Sequence, residues 1–131
     1  MRVESFSYRG GIPNDDSGHG GGFVFDCRSL PNPGRFERYA KLTGADAEVI
    51  AYLDKEPEVA RFLEHAYALV DQSVESYKQR NFTALGVAFG CTGGQHRSVY
   101  CAEHLARRLR ERHKVKVQLR HRARQEAEAA A

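Results

Sequence analysis

Residues 82–98 read FTALGVAFGCTGGQHRS. A run apolar on both faces ends in a glycine pair and then in a basic, helix-forming segment. A strand buried on both faces belongs in the middle of a parallel sheet covered by helices. The residues after it predict a strand–turn–helix unit, so the run over 82–90 points to an α/β architecture. An amphipathic segment follows at 98–112, with Val99, Ala102, Leu105, Ala106 and Leu109 on one side, and then a short apolar strand at 115–119. Strand, helix and strand in this order make a right-handed βαβ candidate.

The remaining elements agree with that architecture. RVESFSY (2–8) and GFVFDC (22–27) carry aromatic and β-branched residues bounded by turn formers, which predicts two strands. Between them, RGGIPNDDSGHGGG predicts a mobile surface loop, and SLPNPGR (29–35) is barred from regular structure by its two prolines. A short helix is expected over 46–55, capped by Asp46. A longer one starts at Pro57, with Val59, Phe62, Leu63, Ala66, Val70, Val74 and Tyr77 as its core stripe. The order β, β, α, α, β, α, β predicts a three-layer α/β fold with a mostly parallel sheet. At 131 residues the chain is expected to be one domain, with 121–131 a polar tail.

Composition narrows the setting. No apolar run is long enough to span a bilayer, and MRVESFSYRG has no apolar core of an export signal, so a membrane partner is not expected. Three cysteines predict a reducing cytoplasm, with no disulfide framework. Net charge is +3, but residues 97–124 hold ten Lys/Arg against two Asp/Glu. That basic quarter suits an anionic partner, whether phosphate, nucleotide or RNA, or else a solvated helix face.

The bend at 90–98 is the candidate site. A helix N-terminus after a glycine turn directs free amides and the positive end of a dipole at one spot. Gly93 and Gly94 let an anion approach the main chain. Arg97 offers a planar fork, Thr92 and Ser98 offer hydroxyls, and His96 offers a donor or an acid. Asp26 and Arg28 follow another strand end and would face the same crevice if the two strands run parallel; Asp26 would orient Arg28, or accept from sugar hydroxyls. The spacing fails the nucleoside-triphosphate P-loop, since Gln95 stands where lysine is required. It fits C-x-x-G-x-x-R-[ST], which looks like the loop of cysteine-dependent phosphatases; in that alternative Cys91 is the nucleophile and Asp15, Asp16 or Asp26 the acid. Cys91, His96, Cys101 and His104 lack zinc-site spacing, so neither metal nor cofactor is expected.

SFSYRGGIP, FVFDCRSLPNP, LTG, GCTGGQHRSVYCAEHLA and RHR together resemble, in order, the C-terminal domain of the bacterial RNase adapter protein RapZ family. The resemblance covers roughly residues 2–124 and suggests a free-standing version without the family's kinase-like domain. It implies a fold akin to sugar-phosphate enzymes such as phosphofructokinase. It also implies a glucosamine-6-phosphate site and binding of small RNAs presented to an endoribonuclease. By motif, Thr92, Gly93, Gly94, His96 and Arg97 would hold the phosphate, with Asp26, Arg28 and Asn32 opposite. A family lysine is replaced by Gln95 and a family histidine by Gly34. RNA contact would fall to Arg107, Arg108, Arg120 and Arg122, because the tail turns acidic after RHRAR. A protein partner or a second copy of the chain remains open.

Overall fold

The computed structural model describes residues 1–14, 22–82 and 84–124. Asp15, Asp16, the rest of the expected surface loop up to residue 21 and the end of the tail from residue 125 lie outside these residues.

Four parallel strands form one sheet: β1 (Arg2–Ser7), β2 (Gly22–Asp26), β3 (Gly86–Cys91) and β4 (Gln118–His121), in the order β2-β3-β1-β4. Helices α1 (Ala47–Asp54), α2 (Pro57–Gln79) and α3 (Arg97–Arg108) flank it, consistent with a three-layer α/β fold. Parallel neighbours need long crossovers, and the helices supply them. All six residues of β3 are buried, as the two-sided apolar run requires. The strand begins four residues later than the sequence suggested and ends at Cys91.

Register pairs Val3 with Val87, Ser5 with Phe89 and Ser7 with Cys91 on one side of β3, and Val24 with Ala88 and Asp26 with Gly90 on the other. Val87, Phe89 and Cys91 face the helices, where Val59, Leu63, Ala66, Val70 and Val74 of α2 and Cys101, Ala102 and Leu105 of α3 complete the core. Phe62 meets Phe25 and Phe89 edge-on, with centroids 6.3 and 6.5 Å apart. On the opposite face of β3, Gly90 leaves room for two rings: a Cβ there would lie 2.6 Å from Tyr8 and would also strike Phe6.

Several elements differ from expectation in detail. β3 and β4 are not neighbours, because β1 enters between them. Helix α3 widens into a π turn over Leu109–His113 that ends at Lys114 in the left-handed region, φ 55°. The last strand therefore shifts to Gln118–His121, while Val115 and Val117 pack against the core without joining the sheet. Asp46 holds the N-cap position of α1 as expected, but its side chain makes no capping bond; Oδ2 accepts instead from the Thr43 amide at 2.7 Å.

Candidate phosphate-binding turn

Parallel strands bring the carboxyl ends of β1, β2, β3 and β4 to one edge of the sheet. There the Tyr8 amide donates to Cys91 O at 3.0 Å and the Cys27 amide to Gly90 O at 2.7 Å. Thus the segments after β1 and β2 flank the end of β3.

In the turn, Thr92 and Gly93 are exposed and Gly94 is buried with φ 65°. A Cβ at Gly93 would meet nothing within 4 Å; one at Gly94 would lie 2.8 Å from the Ser7 amide nitrogen and 2.7 Å from Ala123 Cβ. Gly94 is therefore fixed by both backbone angle and space. Ser7 Oγ donates to Thr92 O at 2.6 Å, fastening the turn to β1.

The side chains of Gln95 and His96 turn inward. Gln95 Nε2 donates to Ala40 O and Leu42 O, both at 2.7 Å, while its own carbonyl accepts from the Gly44 amide at 2.9 Å. His96 is bonded through Nε2 to Tyr39 O at 2.8 Å. A carbonyl only accepts, so Nε2 carries the hydrogen and Nδ1 of the neutral ring is a lone pair. That nitrogen borders Gly34, where a Cβ would come within 3.2 Å of it. Asn32 Oδ1 accepts from the Gly34 amide at 2.9 Å beside it.

Arg97 is 5% exposed, and its Nη1 donates to Arg28 O at 2.8 Å and Leu30 O at 3.0 Å. Its Nε is buried without a partner among the described residues. The guanidinium therefore braces the 28–30 turn from beneath, where the sequence had placed it on the ligand. Ser98 does not reach outward either: its Oγ lies 3.1 Å from Cys91 Sγ, both fully inside. A thiol 3% exposed beneath the turn is not presented to a phosphorus atom bound outside it.

Main-chain amides remain. Among the described residues, those of Thr92, Gly93, Gly94, Gln95 and His96 have no acceptor. Nearby, Arg28 chelates Asp26 through Nε at 2.9 Å and Nη2 at 2.7 Å and stacks 3.9 Å over the Tyr8 ring. The hydrogen bonds from Arg28 hold the Asp26 carboxyl below its usual range, with Arg97 adding its charge.

Alongside the turn lies a cavity of about 430 Å³, bounded by Lys41, Thr43, Gly93, Gly94, Glu103 and His121 among others. The sequence reading missed Lys41, Thr43, Glu103 and His121. Two signals pointed to them: His121 ends a parallel strand, and Glu103 falls one turn after Val99 on α3.

The four candidate RNA-contact arginines do not form one patch. Arg108 pairs with Asp71 at 2.6 Å, whereas Arg120 and Arg122 lie 3.8 and 3.4 Å from Glu4. Arg107 and Arg108 line one surface groove together with Tyr67, His104, Glu111 and Arg112.

A profile of the RapZ C-terminal domain matches residues 1–125. The chain belongs to the RapZ C-terminal domain family. It is 46% identical over 123 residues to a nucleotide-binding protein of Azoarcus sp. strain BH72, covering 94% of this chain and 40% of that protein. It is 43% identical over 122 residues to the RNase adapter protein RapZ of Yersinia pseudotuberculosis serotype O:1b, covering 93% and 41%. A nucleotide-binding protein of Pseudothermotoga lettingae is 38% identical over 120 residues, covering 92% and 41%. The chain thus spans about two fifths of the length of these RapZ-family relatives. Among the described residues, no helix is long and apolar enough to cross a membrane.

Proposed function

We propose that this domain is the ligand-sensing module of an adapter, holding a phosphorylated small molecule, a phosphosugar such as glucosamine-6-phosphate or a nucleotide, on the turn at 92–96. The unpaired amides carry this reading. An anion satisfies several N–H groups at once, and the start of α3 adds the positive end of its dipole. Gln95, His96 and Arg97 contribute by fixing the turn, so little ordering is left for the ligand to impose. Arg97 is held by carbonyls and has no carboxylate partner among the described residues, so its positive field persists under the turn. Asp26, Arg28, Asn32 and the Nδ1 face of His96 supply polar contacts on the β2 side. The names of the relatives agree in kind: nucleotide-binding protein and RNase adapter protein.

The test is calorimetry with glucosamine-6-phosphate and with AMP. Arg97→Ala removes the cation and frees the 28–30 turn, and binding should be lost; unchanged affinity would overturn the reading.

An RNA contact is the second reading, favoured by the groove that Arg107, Arg108 and Arg112 share with His104, Glu111 and the Tyr67 ring. Phosphates would meet the arginines there, and a base would meet the rings.

A further inference from the structure

Two residues lining the cavity beside the glycine turn, His121 and Glu103, belong to a hydrogen-bonded chain that phosphate binding leaves unused. Ser5 lies fully buried in β1, and its Oγ is 2.7 Å from His121 Nδ1 in β4. His121 Nε2 is 2.9 Å from Glu103 Oε1 in α3. A carboxylate oxygen only accepts, so Nε2 carries the hydrogen, and the Ser5 hydroxyl donates to Nδ1 of the neutral ring. Three elements meet here, from residues 116 and 18 positions apart.

The trio suggests a nucleophilic triad, but its serine is 0% exposed, so no substrate carbon or phosphorus can reach it. The exposed member is Glu103, whose side chain is 35% accessible and which lines the cavity with Gly93 and Gly94. One of its oxygens is taken by His121, and the other accepts from no described residue. A carboxylate is thereby held at a fixed place in the cavity that the glycine turn borders. It repels a bare dianion and attracts a hydrogen-bond donor, so it distinguishes one phosphate compound from another.

We infer that Glu103 is the specificity-determining residue of this site. It accepts a hydrogen bond from a hydroxyl or ammonium group on the carbon skeleton of a phosphate ester, and His121 and Ser5 are its positioning residues. The inference rests on the turn being the phosphate site. The cavity volume falls in the range usual for small-ligand sites, about 300–1,000 Å³.

The experiment is calorimetry with inorganic phosphate, glucose 6-phosphate and glucosamine 6-phosphate. Glu103→Gln keeps a carbonyl oxygen to accept from His121, so the chain survives while the charge goes. Expected is about a tenfold loss for glucosamine 6-phosphate, a smaller loss for glucose 6-phosphate, and inorganic phosphate unchanged or tighter. His121→Ala should lower the ratio of sugar-phosphate to inorganic-phosphate affinity, with His121→Gln restoring part of it. A merely structural role would lower all three affinities together. If phosphate binds and Glu103→Gln changes all three ligands equally, or none, this inference falls alone. If none of the ligands binds the unaltered protein, the phosphate reading of the turn falls and takes it along.

Discussion

Asp71 on α2 accepts from Arg108 Nη2 at 2.6 Å and from His113 Nε2 at 2.8 Å, so one carboxylate fastens both α3 and the turn after it. Burial opposes its charge, but the bonds from Arg108 and His113 prevail and hold its pKa below the ordinary 3.8. Its contribution to stability is therefore present above the unfolded-state value and is lost as pH falls through the lower folded value. Asp71→Asn should cost about 2–3 kcal/mol at neutral pH, less than a fully buried pair because Arg108 is a third exposed. Urea unfolding of both proteins at decreasing pH checks this: the gap should narrow in the acid range, and a constant gap would contradict it.

Residues also show where sequence reasoning stops. The donors of His96 and Arg97 were legible as chemistry, but their direction was not. Pro31 and Pro33 remove amides from the 28–33 segment and leave carbonyls in need of donors, and the Arg97 guanidinium meets two carbonyls there, those of Arg28 and Leu30. Nothing local to 97 announces that partner, 67 or more residues away.

At the scale of elements, β3 and α2 were the clearest in the sequence because burial alone shapes their patterns. The two-sided run of β3 and the α2 stripe from Val59 to Val74 stand as read. β4 was misplaced because Val115 and Val117 look like strand residues, whereas pairing with β1 begins at Gln118 and sets Arg120 against Glu4. The turn after β3 was placed correctly, since glycine chemistry marks it, but the cavity beside it depends on β4 and α3 meeting. The two glycines flanking this element should differ sharply on substitution. Gly90→Ala drives a methyl into Tyr8 and Phe6 and should cost about 1–3 kcal/mol. Gly93→Ala meets open space and should stay within about 0.5 kcal/mol. Thermal unfolding of the pair gives the comparison, and equal losses would refute it.

For the whole molecule, charge is less polarised than the sequence implies. Glu4 draws in Arg2, Arg120 and Arg122, and Asp71 draws in Arg108 and Arg112, so much of the basic quarter is neutralised inside the fold. If single-stranded RNA binds, the slope of log affinity against log salt should be shallower than about −3, the value for four freed arginines. Filter binding over a salt series measures it; a steeper slope would mean that the arginines abandon their carboxylates.

The strand order has one more effect, on the time course of synthesis. β1 is an inner strand whose neighbours are β3 and β4, and its Ser5 waits for His121. A ribosome thus releases β1 long before either neighbour exists, and the sheet closes only when β4 emerges. Contacts this distant along the chain slow the search for the native arrangement. β4 is the last of the described strands along the chain, and it completes both the sheet and, through His121, the wall of the cavity beside the glycine turn.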